Sequence, residues 1–234
     1  MSVLPSLDRR ILAIALPSIV SNITVPLLGL VDVAVTGHMG GDDGVSSSTS
    51  LPASYYVGAI AVGGMLFNII YWMFGFLRMG TGGETAQAWG RRDLDGVVLL
   101  LVRSLLLALV LALVLMALSP LVRDGALWYI APEAEVASLA RTYFNICIWG
   151  AVPALGLFAM NGWYIGMQNS RFPMIVAIGQ NLLNIACSIF FVYALGMRIE
   201  GVALGTLLAQ WVAFIIALLL CLRYYRRLWK RASF

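Results

Sequence analysis

Asp32 is the one acid set deep in an uncharged stretch, following 21 uncharged residues after Arg10. If a helix covers residues 11–37, Asp32 lies in its outer third. A carboxylate at that depth costs at least ~2.5 kcal/mol unless it is paired, hydrated or protonated. Desolvation raises a carboxyl pKa, which brings protonation within reach of neutral pH. A carboxyl whose charge toggles with its surroundings is what a proton- or cation-coupled carrier needs. The competing reading is an aspartate near a helix end that reaches out to water. Pro17 and Pro26 share the same run. Each removes a backbone N–H and disfavours a straight helix, and bent or broken helices recur beside transporter binding sites. Prolines are also simply commoner in membrane helices than in soluble ones.

A second polar group stands in a later apolar run: Gln180, Asn181, Asn184 and Ser188. At 100° per residue, Asn181, Asn184 and Ser188 fall within about 60° of one another. Such a stripe faces a cavity or another helix rather than lipid, and cavity lining is the reading adopted. Asn22, Asn68, Asn145 and Asn161 are assigned to packing. Arg78 and Glu84 flank the inner end of the second run; an ion pair between them and Glu84 reaching into an inward-facing vestibule are alternatives, and ordinary interfacial positions are the reading adopted. His38, the chain's single histidine, falls at the outer rim of the first run. The Asp42–Asp43 pair lacks the further ligands of a calcium loop. Cys147, Cys187 and Cys221 all lie in apolar runs, an odd set that suits neither a disulfide framework nor a metal site. No run carries HExxH or a nucleophile beside a base, so an enzyme is not expected.

The elements that must hold these residues follow from composition. Hydrophobic residues make up 61% of the 234-residue chain and charged residues 11%, against about 25% charged in soluble domains. Mean hydropathy is +0.91. So little polar surface cannot cover a fold in water, and lipid must be its solvent. Charges punctuate the chain into six continuous apolar runs, near residues 11–37, 54–79, 97–121, 137–166, 172–196 and 200–222. Each meets the roughly 20 residues that a spanning helix needs. Barrel strands would instead alternate apolar and polar residues over about ten positions. The expected fold is therefore all-α and integral to the membrane, with residues 1–234 forming one membrane domain. The first run is too long for a signal-peptide core and is kept as a mature helix.

Six spans put both termini on one side. That side holds Arg9, Arg10, Arg91, Arg92, Arg171, Arg223, Arg226, Arg227, Lys230 and Arg231, against Arg123 and Arg198 opposite. The positive-inside rule then predicts cytoplasmic termini in a cell inner membrane. The basic, aromatic tail is read as a topology anchor in preference to a lipid-binding patch. Gly162/Gly166 and Gly201/Gly205 have the spacing of close helix crossings.

Four segments together resemble the MATE (multidrug and toxic compound extrusion) family, in its DinF branch. They are LALPSI with VPLLGLVDVAVTGHMG, FLRMGTGGETAQAWGRRD, GWYIGMQNSRFP and GVALGTLLAQ. An aspartate fifteen residues after the first-helix proline is a hallmark of that family, and Pro17 and Asp32 fit it. The resemblance implies that Pro17 bends during a proton switch and that Asp32 couples cation entry to drug release. It assigns Asn184 and Thr206 to the same cluster, and makes H⁺ or Na⁺ the coupling ion with no other cofactor. The family's second acid is Ser188 here, so Asp32 is expected to act alone. The loop after the first span also looks longer than the family's.

MATE transporters have about twelve helices in two six-helix lobes, and this chain resembles an N-terminal lobe. The implied function is secondary active efflux of amphipathic, cationic small molecules by alternating access. A second lobe or a second copy would complete it, and nucleic acid is not an expected partner. The alternatives are a lipid-linked saccharide flippase of the same superfamily, which would want more cations in its cavity, and a non-transporting scaffold or fragment.

Overall fold

The computed structural model describes residues 19, 30, 31, 33–37 and 51–226. Pro17, Pro26, Asp32, His38, the Asp42–Asp43 loop and the tail beyond Arg226 lie outside the described residues. Among the described residues every regular element is helical, and five helices are long and apolar enough to cross a membrane.

The first of these is a rod in two pieces, α1 (Ala53–Met73) and α2 (Gly75–Gly90), interrupted at Phe74. Its helix runs on past residue 79, where the apolar run stops at the Arg78 charge. Apolarity marks only the part of a helix that lipid surrounds, so charge spacing underestimates a helix that projects into water. The same holds for α3 (Leu94–Ile130), which at 37 residues is about 55 Å long. Asp93 starts α3, its Oδ1 accepting from the Gly96 N–H at 2.9 Å. Ala131 ends it in the left-handed conformation, at φ 47°.

α4 (Ala134–Cys147) and α5 (Ala151–Gly166) form one span joined by a 3₁₀ turn at Ile148–Gly150. Pro153 accounts for the turn: its ring excludes the carbonyl four residues back, and it has no N–H to close that bond. α6 (Arg171–Ile189) continues through a π turn at Phe190–Ala194, and α7 (Ile199–Tyr224) closes the described bundle.

The α4–α5 span is the hub. In its most apolar stretch 72% of residues are buried, against 22–33% in the other four spans. Small residues make this possible. A Cβ on Gly166 would stand 2.7 Å from both the Gly82 carbonyl oxygen and Thr85 Cβ, so α5 lies directly on the α2 backbone. Two buried aromatic tips then pin the hub on its other sides. Trp163 Nε1 donates to the Val97 carbonyl of α3 at 2.8 Å, and Tyr164 Oη donates to the Ala217 carbonyl of α7 at 2.7 Å.

Charged and aromatic residues hold the two ends. At one end, Asn169 Nδ2 donates to Tyr225 Oη at 3.0 Å, and Tyr225 stacks edge-on against Trp163 and Phe172. At the other, Asp124 joins Arg123 at 2.9 Å and Arg141 at 3.5 Å. Arg141 therefore belongs with Arg123, a base that the charge tally left out. It adds one cation to a side still far poorer in them. Arg198 Nη1 donates to Tyr56 Oη at 2.9 Å and ties the α6–α7 connection to the start of α1.

Candidate functional site

The polar stripe of α6 meets α7. Asn184 and Ser188 are buried, at 3% and 0% exposure. Asn184 Nδ2 donates to Thr206 Oγ1 at 3.0 Å, and Thr206 in turn donates to the Val202 carbonyl of its own helix at 3.0 Å. Ser188 Oγ lies 3.5 Å from Asn184 Oδ1. The crossing is tight because of Gly205, where a Cβ would fall 2.6 Å from Ser188 Oγ and 2.9 Å from its backbone nitrogen. These side chains therefore bridge two helices. Asn181 and Gln180, one turn earlier on α6, are only half-buried.

A cavity of about 1060 Å³ opens elsewhere, between the α1–α2 rod and α5. Its walls include Asn68, Tyr71, Trp72, Phe76, Arg78 and Phe158, and it straddles the interruption at Phe74. None of Gln180, Asn181, Asn184, Ser188 or Thr206 lines it. The interhelical alternative, open at the sequence level, thus describes where Asn184 and Ser188 point.

Tyr71 lines the cavity. Gln210 lies four residues beyond Thr206, on the same face of α7. Tyr71 Oη and Gln210 Oε1 are both buried without a hydrogen-bond partner among the described residues. Buried polar atoms in that condition call for an explanation.

The family signature MatE matches residues 17–190, most of the chain. The chain belongs to the MatE family. Among curated relatives, DNA damage-inducible protein F of Escherichia coli K12 is 36% identical over 220 residues, covering 94% of this chain and 45% of that protein. The probable multidrug resistance protein NorM of Thermotoga maritima is 27% identical over 218 residues, covering 89% and 43%. Among solved structures, a MOP superfamily transporter from Pyrococcus furiosus superposes with a TM-score of 0.78 at 22% identity, covering 93% of this chain and 45% of that one. A MATE protein in its bent conformation gives 0.79 at 22% identity, covering 94% and 46%. The chain thus spans about half the length of the relatives it matches, and its fold is that of half a MATE transporter.

Within this MatE frame, the structure brings Asn184, Ser188 and Thr206 into one cluster, and Asp32 and Pro17 lie outside the described residues. Sequence reasoning missed three features. Arg78 is in a cavity wall and makes no ion pair with Glu84 among the described residues. Tyr71 Oη and Gln210 Oε1 are buried without partners among the described residues; Gln210 stood visible as a lone amide within an apolar run. The break in the second span falls at Phe74–Gly75 with no proline present. Its signal was Gly75, which has open space where a side chain would go and so is not there for packing.

Proposed function

We propose that this chain is one lobe of a secondary active efflux transporter for amphipathic small molecules, working opposite a second lobe by alternating access. The observation that carries this reading is the buried Asn184–Ser188–Thr206 node joining two spans, set in a MatE-family half-transporter fold. Asp32 acts as the coupling carboxyl. The family resemblance groups it with Asn184 and Thr206, the pair that bridges α6 and α7. Pro17 supplies the flexibility that the first span needs. The discontinuities at Phe74, Ile148–Gly150 and Phe190–Ala194 supply it in three others, since interrupted helices are a recurring transporter device.

Of the two coupling ions, H⁺ is the better supported. Ser188 stands where a second acid would strengthen cation binding. Both termini are placed in the cytoplasm, in the inner membrane, from the arginine distribution.

Everted membrane vesicles from cells expressing the protein from its own locus test the reading. An imposed inside-acid gradient should drive uptake of a fluorescent amphiphile, and a protonophore should abolish it. Uptake that ignores the gradient, or that responds to Na⁺ alone, would contradict proton coupling.

A further inference from the structure

Among the described residues, Arg78 is the only charged side chain in the walls of the 1060 Å³ cavity. Tyr71, Trp72, Phe76 and Phe158 surround it with aromatic surface, and Asn68 adds one neutral amide. No described carboxylate lines the space, and Arg78 makes no ion pair among the described residues. Glu84, six residues along the same helix, turns about 120° away from it. Arg78 is exposed at the inner edge of an apolar span, and with no carboxylate in the described wall its guanidinium is open to an anionic group on an occupant. The space is at the upper end of the range for drug-sized ligands, and aromatic walls suit a flat or fused-ring body.

We propose that the cavity binds an amphiphile with an aromatic or fused-ring body and a single anionic group, a carboxylate or sulfonate held by the Arg78 guanidinium. The proposal deepens the efflux reading and rests on it, naming the substrate class of the same cavity. It departs from the cationic substrate that the family resemblance suggested. The planar fork of arginine matches two oxygens of one carboxylate or sulfonate. A single guanidinium cannot balance the charge of a diphosphate, so a lipid-linked pyrophosphate is the poorer occupant. An aromatic cation would place like charges together in a cavity with no described acid, although ring faces attract cations weakly.

The test is equilibrium binding to the purified protein in lipid nanodiscs, with no ion gradient. Anilinonaphthalene sulfonate is the anionic probe and rhodamine 6G the cationic one. The wild type should bind the sulfonate more tightly than the cation. Arg78→Gln should weaken sulfonate binding by about ten-fold or more, the scale of a lost charge-assisted contact, and leave rhodamine unchanged or tighter. Arg78→Lys, which keeps the charge without the fork, should fall between. Tighter rhodamine binding by the wild type, or sulfonate affinity unchanged in Arg78→Gln, overturns the proposal. Should Arg78→Gln fail to fold, the wild-type preference and the Arg78→Lys variant decide it. Since nothing is transported in this assay, a negative result here leaves the gradient experiment to judge efflux independently.

Discussion

Asn184 on α6 donates a hydrogen bond to Thr206 on α7 at 3.0 Å, one residue along from Gly205, whose missing side chain lets Ser188 approach. An amide, two hydroxyls and a glycine thus form one interlocked crossing inside an apolar bundle. Helix pairing of this kind in lipid relies on close packing and on hydrogen bonds, because lipid tails are as apolar as leucine.

A double-mutant cycle on Asn184→Ala and Thr206→Val should give a coupling of about 0.6–1.7 kcal/mol, the range for interhelical hydrogen bonds in membranes. Reversible unfolding in mixed micelles measures it. Additive effects would mean that the bond contributes nothing to helix pairing.

Gly205→Ala should cost about 1–3 kcal/mol, since the added methyl meets the Ser188 backbone as well as its side chain and rotamer change cannot relieve that. Gly179→Ala is the matched control. It lies on α6 with nothing within 4 Å of where its methyl would stand, so it should change stability by no more than about 0.5 kcal/mol. Equal effects at the two sites would contradict the crossing.

How far the chain disclosed itself depended on the kind of information each feature needs. The spans were legible because lipid forces apolarity, and Arg103, Arg123 and Arg171 fall where the runs end. The helix ends were not, because α2 and α3 project into water, where residues such as Glu84 and Asp124 cost nothing. Asn184 was legible as part of a stripe, from the period of the helix alone. Its partner Thr206 was reachable only by resemblance, since helix contact is a tertiary fact and one threonine in an apolar run looks like any other. Arg78 is exposed at the run's end, as an interfacial residue would be, and only the α5 packing on Gly82 shows that a cavity lies beside it.

Trp163→Phe removes the indole donor to the Val97 carbonyl while keeping most of the buried ring. It should destabilise the lobe by about 1 kcal/mol, the net worth of one such bond, and Tyr164→Phe should do likewise at Ala217. Thermal unfolding of the two variants against wild type reads this. A Trp163→Phe protein as stable as wild type would show that the α5–α3 bond is dispensable.

Topology is open to cysteine labelling in intact cells. Ser138→Cys, at the end that carries Arg123 and Arg141, should react with a membrane-impermeant maleimide added outside. Arg91→Cys should react only after the membrane is opened. The reverse pattern would invert the orientation assigned from the arginines.

If Asp32 couples a proton gradient to efflux, as proposed, Asp32→Asn must uncouple the two. In everted vesicles, the variant should insert to the same level as wild type yet lose gradient-driven uptake of the amphiphile, with at least about a ten-fold fall in initial rate, equivalent to about 1.4 kcal/mol. Uptake at the wild-type rate, still abolished by a protonophore, would show that the proton is carried elsewhere and would contradict the account.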